Sequence, residues 1–577
     1  MIHDIYDPLN EYNDVFKDRF KEVVEATFAQ LAKEAQVDVE ANRETCCNIN
    51  DSETMLKGIK SSITKWTVLC ITLWATVVIG IIYIVFNYEV VEMLILVVIG
   101  AIVMGDIGLL FMKVHPRIKE LKTERDNLAQ TIEKFKEKAW AQMASLNGLF
   151  DWDILARMMT KTIPRLEFDP YFTSQRLADL EQYYGWDGSF NDGRSVIYSH
   201  SGLINGNPFV LARTRKMEWG QKTYHGELTI HWTTVERGSD GKTYTRRHSE
   251  TLHASHTAPF PEYYEKSTLI YANTAAPDLT FYRKKNGLAG KEKSLSFKWN
   301  EWKLRRKAHK LKDGDFAMMT NEAFEVAFNT SNRNNNHQFA MLFTPLAQEN
   351  MLSLLKDEKV GFGDDFDFNK NRMINMVEAD HMQELDLDMN PRKFMDFDFE
   401  RAKLAFYDIN ARNFHAIYFN LAPLLCIPMY QQIRPQHDIY GRDMKQSSTF
   451  WEHESLANFW GEDYFKHPEC ATHCILKTHQ IKGIHDESTI KVEAHGYRIE
   501  KRVIYISKYG GDGCWHEVPV YWDEYLPVVG NGSICMKEDN EYDDSNATGT
   551  ERAMHIKNML ETSKLSTYRR HIASSMV

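Results

Sequence analysis

The 577-residue chain lacks most of the signatures by which a sequence announces its chemistry. Eight cysteines are too few for a disulfide scaffold. A net charge of −11 removes the global basic field that nucleic-acid binding calls for, so nucleic acid is not an expected partner. Mean hydropathy is negative, which excludes a polytopic transporter. No P-loop is present: Gly290-Lys291 is followed by Glu292. His453-Glu454 runs on into Ser455-Leu456-Ala457, so the second histidine of HExxH is missing, and His516-Glu517 fails likewise at Val520. Asp365-x-Asp367-x-Asn369 opens like a calcium loop, but Lys370 replaces its glycine and Met376 its closing glutamate. No nucleophile elbow, kinase set or dinucleotide fingerprint occurs. These absences turn the reading away from a nucleotide-driven enzyme and leave the catalytic residues unassigned.

What is present is one dense apolar block. Residues 66–86 carry no charge, and residues 93–112 carry only Asp106. About 20 apolar residues cross a bilayer core as a helix. The six residues between them, NYEVVE, permit only an antiparallel hairpin. Lys57, Lys60 and Lys65 precede the first span, and Lys113, Arg117, Lys119, Lys122 and Arg125 follow the second. The connecting residues include Glu89 and Glu92 and no basic residue. The positive-inside rule then predicts a multi-pass cell-membrane protein with both termini cytoplasmic. Asp106 is the intramembrane polar residue. Hairpin symmetry sets it level with Leu73, within reach of the Thr72 and Thr76 hydroxyls, or it reaches the cytoplasmic headgroups. Ala101, Gly105 and Gly108 would permit close helix contact, within the hairpin or in an oligomeric assembly.

Two amphipathic helices flank the block. Val15, Phe16, Phe20, Val23, Val24, Phe28 and Leu31 recur at helical spacing, as do Ile118, Leu121, Leu128, Ile132, Phe135, Ala139 and Met143. They are expected to pair as a stalk or short coiled coil, with a polar linker around Cys46 and Cys47. From about residue 165 strand patterns take over, with turns at Asp192-Gly193, Asn205-Gly206 and Asp240-Gly241. A tight turn at Asp240-Gly241 makes paired positions sum to 481. Leu228, Ile230 and Trp232 then share the core face. His225, Glu227, His231, His248, Glu250 and His256 share the other, as a solvated face or a metal or pH-sensing one.

The expected fold class is α+β: a two-helix transmembrane hairpin with a helical stalk and a β-rich mixed cytoplasmic region. Its segments are a cytoplasmic amphipathic helix and linker (1–64), the hairpin (65–113), the juxtamembrane stalk (114–160), an α+β domain (161–400), a mixed β-rich domain (401–540) and a polar tail with a short helix (541–577). Within these, DDFDF, ELDLDM and MDFDFE alternate as half-buried strands do, and residues 414–430 read as buried core or an interfacial segment.

Two side-chain groups carry candidate binding chemistry. Trp299, Trp302, Lys303, Arg305, Arg306 and Lys307 form a basic aromatic segment suited to anionic lipid headgroups or, as a second reading, to RNA, and equally to plain solvent exposure. His467, Cys470 and Cys474 would share one helical face, with His479 nearby; no cofactor is required, but zinc is the metal such a set would take.

Residues 313–359 carry a further signal. Leu342-Phe343-Thr344-Pro345-Leu346 resembles the LTP-x-L helix start of an uncharacterised bacterial family of membrane-hairpin proteins with a cytoplasmic domain of unknown function. Phe324 to Phe328 stands where that family has an FEVYS-like strand, and Gly226-Glu227-Leu228 with Gly241-Lys242-Thr243 resembles its GEL…GRT stretch. The resemblance covers about residues 60–400 and implies a bacterial membrane protein, with no catalytic residues to transfer. Thr344 would cap the helix and Pro345 would open it. The resulting expectation is a membrane-anchored, non-enzymatic interaction or scaffold protein with a protein partner or a second copy of itself. A zinc-dependent enzyme or sensor and an assembly built on Asp106 are the alternatives.

Overall fold

The computed structural model describes residues 5–87, 93–237, 239, 241–309, 316–435, 447–482, 487–540, 542 and 547–577. The hairpin connection at 88–92, Asp240, Lys310, Lys312 and most of the acidic stretch 541–546 lie outside them. The chain is α+β and forms two compact units, neither continuous in sequence.

The smaller unit comprises Ala26–Phe150 and Pro391–Asp408. Helix α1 (Lys17–Glu34) runs into it, and α2 (Val39–Asn87) then continues unbroken for 49 residues. The expected polar linker around Cys46 is therefore helical. Helix α3 (Met93–Leu109) leads through a π turn, Leu110–Val114, into α4 (His115–Asn147). The π turn has a local cause: Pro116 has no N–H to give the carbonyl four residues back, and the helix widens there. α2 and α3–α4 lie antiparallel along a seam of Val77, Val103, Leu110 and Val114. Gly80 leaves room for the partner helix, since a Cβ there would stand 2.6 Å from Val103 Cγ2. Gly105 and Gly108, expected as the contact glycines, meet nothing within 4 Å. Further along, Lys136 pairs with Glu53 at 3.0 Å, and Gln142 donates to the Ala41 carbonyl at 3.3 Å.

The stalk thus differs from the expected one. α4 pairs with the N-terminal half of α2. Phe28 of α1 packs instead on Phe399 and Phe406. The Asn42 amide ties α2 to the same segment, donating to Phe397 O at 2.9 Å and accepting from Phe399 N–H at 3.0 Å.

The larger unit comprises Met1–Glu25, Asp151–Asn390 and Ile409–Val577. Its first antiparallel sheet contains β1 (Leu166–Phe168), β2 (Arg194–Ile204), β3 (Asn207–Arg237), β4 (Thr243–Ala272), β5 (Thr280–Arg283), β6 (Phe366–Asn371) and β7 (Ile374–Ala379), in the order β1-β2-β3-β4-β7-β6-β5. Asn205 and Gly206 both have positive φ, forming the tight β2–β3 turn expected there. Helix α5 (Leu295–Ala308) follows β5, and α6 (Pro345–Lys356) precedes β6. Thr344 caps α6 by accepting from Ala347 N–H, with Pro345 in its first turn. The strand implied for Phe324–Phe328 is a helix, Glu322–Phe328. ELDLDM and MDFDFE form no strand; Phe366–Asn371 is the one acidic alternation that pairs.

Helix α7 (Phe399–Leu425) enters this unit at Ile409, and its Phe414 stacks on Phe20 with centroids 3.9 Å apart. Residues Ala416 to Ile427 are nearly all sealed from solvent, so this apolar stretch is core. Helix α8 (Phe450–Trp460) precedes the second sheet. That sheet contains β8 (Ile475–Lys482), β9 (Glu487–Tyr509), β10 (Trp515–Glu538), β11 (Thr567–Arg569) and β12 (Ile572–Met576), in the order β11-β12-β10-β9-β8. A helix at Gly549–Ser563, with a Thr548/Glu551 capping box, comes before β11. The chain end is not a free basic tail: Arg569, Arg570 and His571 are buried in the β11–β12 turn.

The long hairpin is one residue out of the expected register. Its last pair is Arg237 with Thr243, so paired positions sum to 480. A one-residue slip moves one strand's side chains to the opposite face. His248, Glu250 and His256 therefore join Leu228, Ile230 and Trp232 on the inner face, while His225, Glu227 and His231 stay outside. On the inner face His248 stacks on Trp232 and His256 packs on Trp522. Ile230, Leu252 and Ala254 meet Val518 and Val520 of β10, which joins the two long hairpins.

Candidate functional site

The densest polar chemistry lies on α8, which packs against β2 and β8. Glu452, His453, Glu454 and Ser455 are each 2 % exposed or less. Buried charges persist only when paired and hydrogen-bonded. Glu452 Oε1 accepts from Phe172 N–H (2.8 Å), Ser199 Oγ (3.1 Å) and Arg570 Nη1 (3.2 Å). Glu454 accepts from Val196 N–H (3.0 Å), the Asn191 amide and Lys477 Nζ (3.0 Å). Burial pushes its carboxyl up, while Lys477 and Asn191 pull the other way. Arg569 reaches Ser455 Oγ at 3.1 Å and Asp388 at 3.3 Å. α8 thereby fastens the first sheet, through hydrogen bonds from Val196 and Ser199, to the second, through ion pairs with Lys477 and Arg570.

His453 Nε2 lies 2.9 Å from Ser448 Oγ, and that hydroxyl donates to Glu538. The serine stands between the histidine and the carboxylate. A nucleophilic triad needs the histidine in the middle, so this relay is not one. Beside α8 a cavity of ≈ 20 Å³ is bordered by Trp152, Asp153, Phe168, His200, Leu387 and Met389. It holds one water at most. Burial, with Arg570 and Arg569 near, drives the His200 imidazole well below its ordinary value.

The candidate zinc residues divide. Cys470 and Cys474 come together, with Sγ atoms 3.7 Å apart. They do so in an irregular segment before β8, not on the helical face the spacing suggested. His467 Nδ1 is occupied by the Glu469 N–H, and His479 sits exposed on β8 opposite Lys491. Burial pushes the Cys474 thiol up to about 12, with Cys470 adding to it. Among the described residues, no three His, Cys, Asp or Glu side chains are grouped to hold a metal ion.

The basic aromatic segment is α5, started by the Ser294 cap on Phe297 N–H. Its inner face carries Phe297 and Leu304. Its outer face displays Leu295, Trp299 and Trp302 at 86, 58 and 53 % exposure. Lys303 lies over Trp299 and Arg306 over Trp302. Arg305 is taken up by Glu301 and Glu322, and Lys307 by the Ser331 carbonyl. Two of the four central cations are therefore tied inward. In the apolar hairpin, Thr76 Oγ1 donates to Asp106 at 2.8 Å, the reach expected of that hydroxyl.

No protein-family model, curated protein or solved structure matches this chain. Sequence motifs single out neither Glu452 nor Ser448, and Glu454 enters only through the incomplete HExxH. For Glu452 and Glu454 the one visible signal is WEHES itself, charged residues running between the aromatic residues of a helical stretch.

Proposed function

We propose that this chain is a membrane-anchored, non-enzymatic interaction protein, held by a two-helix hairpin with both termini cytoplasmic. One observation carries the reading. Two helices are long and apolar enough to cross a bilayer, and little of either apolar window is buried within the chain. Ile79, Val85, Phe86, Met104 and Met112 are 65–83 % exposed. A soluble core helix buries such residues, and an apolar surface this extensive calls for a partner phase. Basic residues outside both ends of the hairpin support the orientation. The Asp106–Thr76 hydrogen bond supports a polar contact internal to the hairpin. The polar network on α8 supports a structural role, since its charges are spent on one another. The larger unit is the module that meets a protein or lipid partner.

The test is topological. Cys47 and Cys514 are both exposed. In sealed right-side-out vesicles an impermeant maleimide should label neither until the membrane is opened. A cysteine placed by Glu89→Cys should label from outside at once. The protein should stay in the pellet after alkaline carbonate. Release by carbonate, or labelling of Cys514 in sealed vesicles, sinks the proposal.

A further inference from the structure

We propose that Cys470 and Cys474 are a redox-active dithiol that closes to a disulfide by exchange with a low-molecular-weight disulfide, with oxidised glutathione as the probe. Their sulfurs are 3.7 Å apart, so a modest rotation of the side chains brings them to the bonding distance of about 2.05 Å. Among the described residues no other two thiols are in contact.

The surrounding backbone holds the pair in place. Cys470 N–H donates to His467 O (2.8 Å), which turns the chain back toward Cys474. Ala471 N–H donates to Tyr497 O (2.8 Å), and Tyr497 N–H returns a bond to Thr472 Oγ1 (3.0 Å). Two of the three residues between the cysteines, Ala471 and Thr472, are thus pinned to β9, and His473 pairs with Glu462 at 2.8 Å. Gly496 supplies the space beneath them, since a Cβ there would fall 2.4 Å from Cys470 Sγ and 3.0 Å from Cys474 Sγ. Any larger residue would push the sulfurs out.

Burial assigns the roles. Cys470 is partly exposed and Cys474 is buried. The Cys470 thiol loses its proton to water and its thiolate attacks one sulfur of oxidised glutathione. That disulfide breaks, one glutathione thiolate leaves, and a mixed disulfide forms on Cys470. Cys474 then loses its proton, and its thiolate displaces the second glutathione. In sum two protein thiols are oxidised by two electrons, one glutathione disulfide is reduced to two thiols, and the two protons pass to them. Disulfides in reducing compartments are typically transient and redox-sensing. The ring spans only five residues, so it restricts the unfolded chain little and its closure is readily reversible.

The experiment uses the full chain in mild detergent, fully reduced and then equilibrated at graded ratios of reduced to oxidised glutathione. Free thiols are trapped with N-ethylmaleimide and mapped by peptide mass. Two of the eight thiols should become unreactive together, joined in one Cys470–Cys474 cross-linked peptide, and excess reduced glutathione should free both. Cys474→Ser should stop at a stable glutathione adduct on Cys470. Full alkylation of both cysteines at every ratio, or a bridge from Cys470 to a different cysteine, overturns the proposal; the wild-type map decides this even if the variant misfolds.

Discussion

At position 453 a histidine is 2 % exposed and spends its Nε2 on a serine hydroxyl. Because that hydroxyl donates onward to Glu538, the imidazole must donate to it, which fixes the neutral Nε2–H tautomer. Burial pushes its pKa down from 6.5 to about 4. As pH falls through 6.5 the unfolded chain takes up a proton that the folded chain refuses until about 4. The unfolded state binds more protons across that window, so stability is full above 6.5 and is lost progressively toward 4. The loss attributable to this residue is at most about 3 kcal/mol. His453→Gln keeps a donor amide and removes the titration. Chemical denaturation in detergent at pH 7 and pH 4.5 should show a smaller acid loss in the variant, by about 2 kcal/mol; equal losses would count against the burial argument. HExxH concerns metals, whereas the hydroxyl this histidine meets belongs to Ser448 and that hydroxyl's acceptor, Glu538, lies on β10. No local spacing encodes that.

Elements were legible where local chemistry decides them. The cap at Thr344, the opening Pro345 and the turn at Asn205-Gly206 act through neighbours in sequence. The long hairpin was legible as a hairpin but not in register. Parity depends on how many residues the connection takes, and a two-residue turn at Asp240-Gly241 gave one answer where the pairing of Arg237 with Thr243 gives the other. His248, Glu250 and His256 changed face through that single count. The same register brings Gly226 against β10, where a Cβ would stand 2.1 Å from the Pro519 carbonyl oxygen. Backbone cannot yield there as a flexible side chain would. Gly226→Ala should therefore separate β3 from β10 and destabilise the packed hairpins by about 1–3 kcal/mol. Hydrogen exchange checks it: faster exchange at Val518 and Val520 is expected, with β5–β6 unchanged. Protection equal to the parent at Val518 would contradict the close approach.

For the whole molecule, the hairpin and the α+β class followed from composition and run length. The ion-paired α8 and the buried chain end did not, because residues from Phe172 to His571 had to meet before either made sense. The lipid contact proposed for α5 belongs to this scale as well, since it depends on which cations the rest of the fold leaves available. Glu322 and Ser331 occupy Arg305 and Lys307. Lys303 and Arg306 remain beside exposed Trp299 and Trp302. Each basic residue near an anionic surface contributes about 1 kcal/mol. A double reversal, Lys303→Glu with Arg306→Glu, replaces two attractions by two repulsions and should weaken the contact at least tenfold, about 1.4 kcal/mol or more. An environment-sensitive fluorophore at position 295, the most exposed apolar site of α5, reports it on the full-length chain in vesicles. Its emission should shift to the blue when phosphatidylserine replaces phosphatidylcholine, and the double reversal should abolish the shift. Arg305→Gln should leave the shift in place, because that guanidinium already spends its charge on Glu301 and Glu322. Identical spectra in the two lipids would leave α5 a solvated helix with its tryptophans in water.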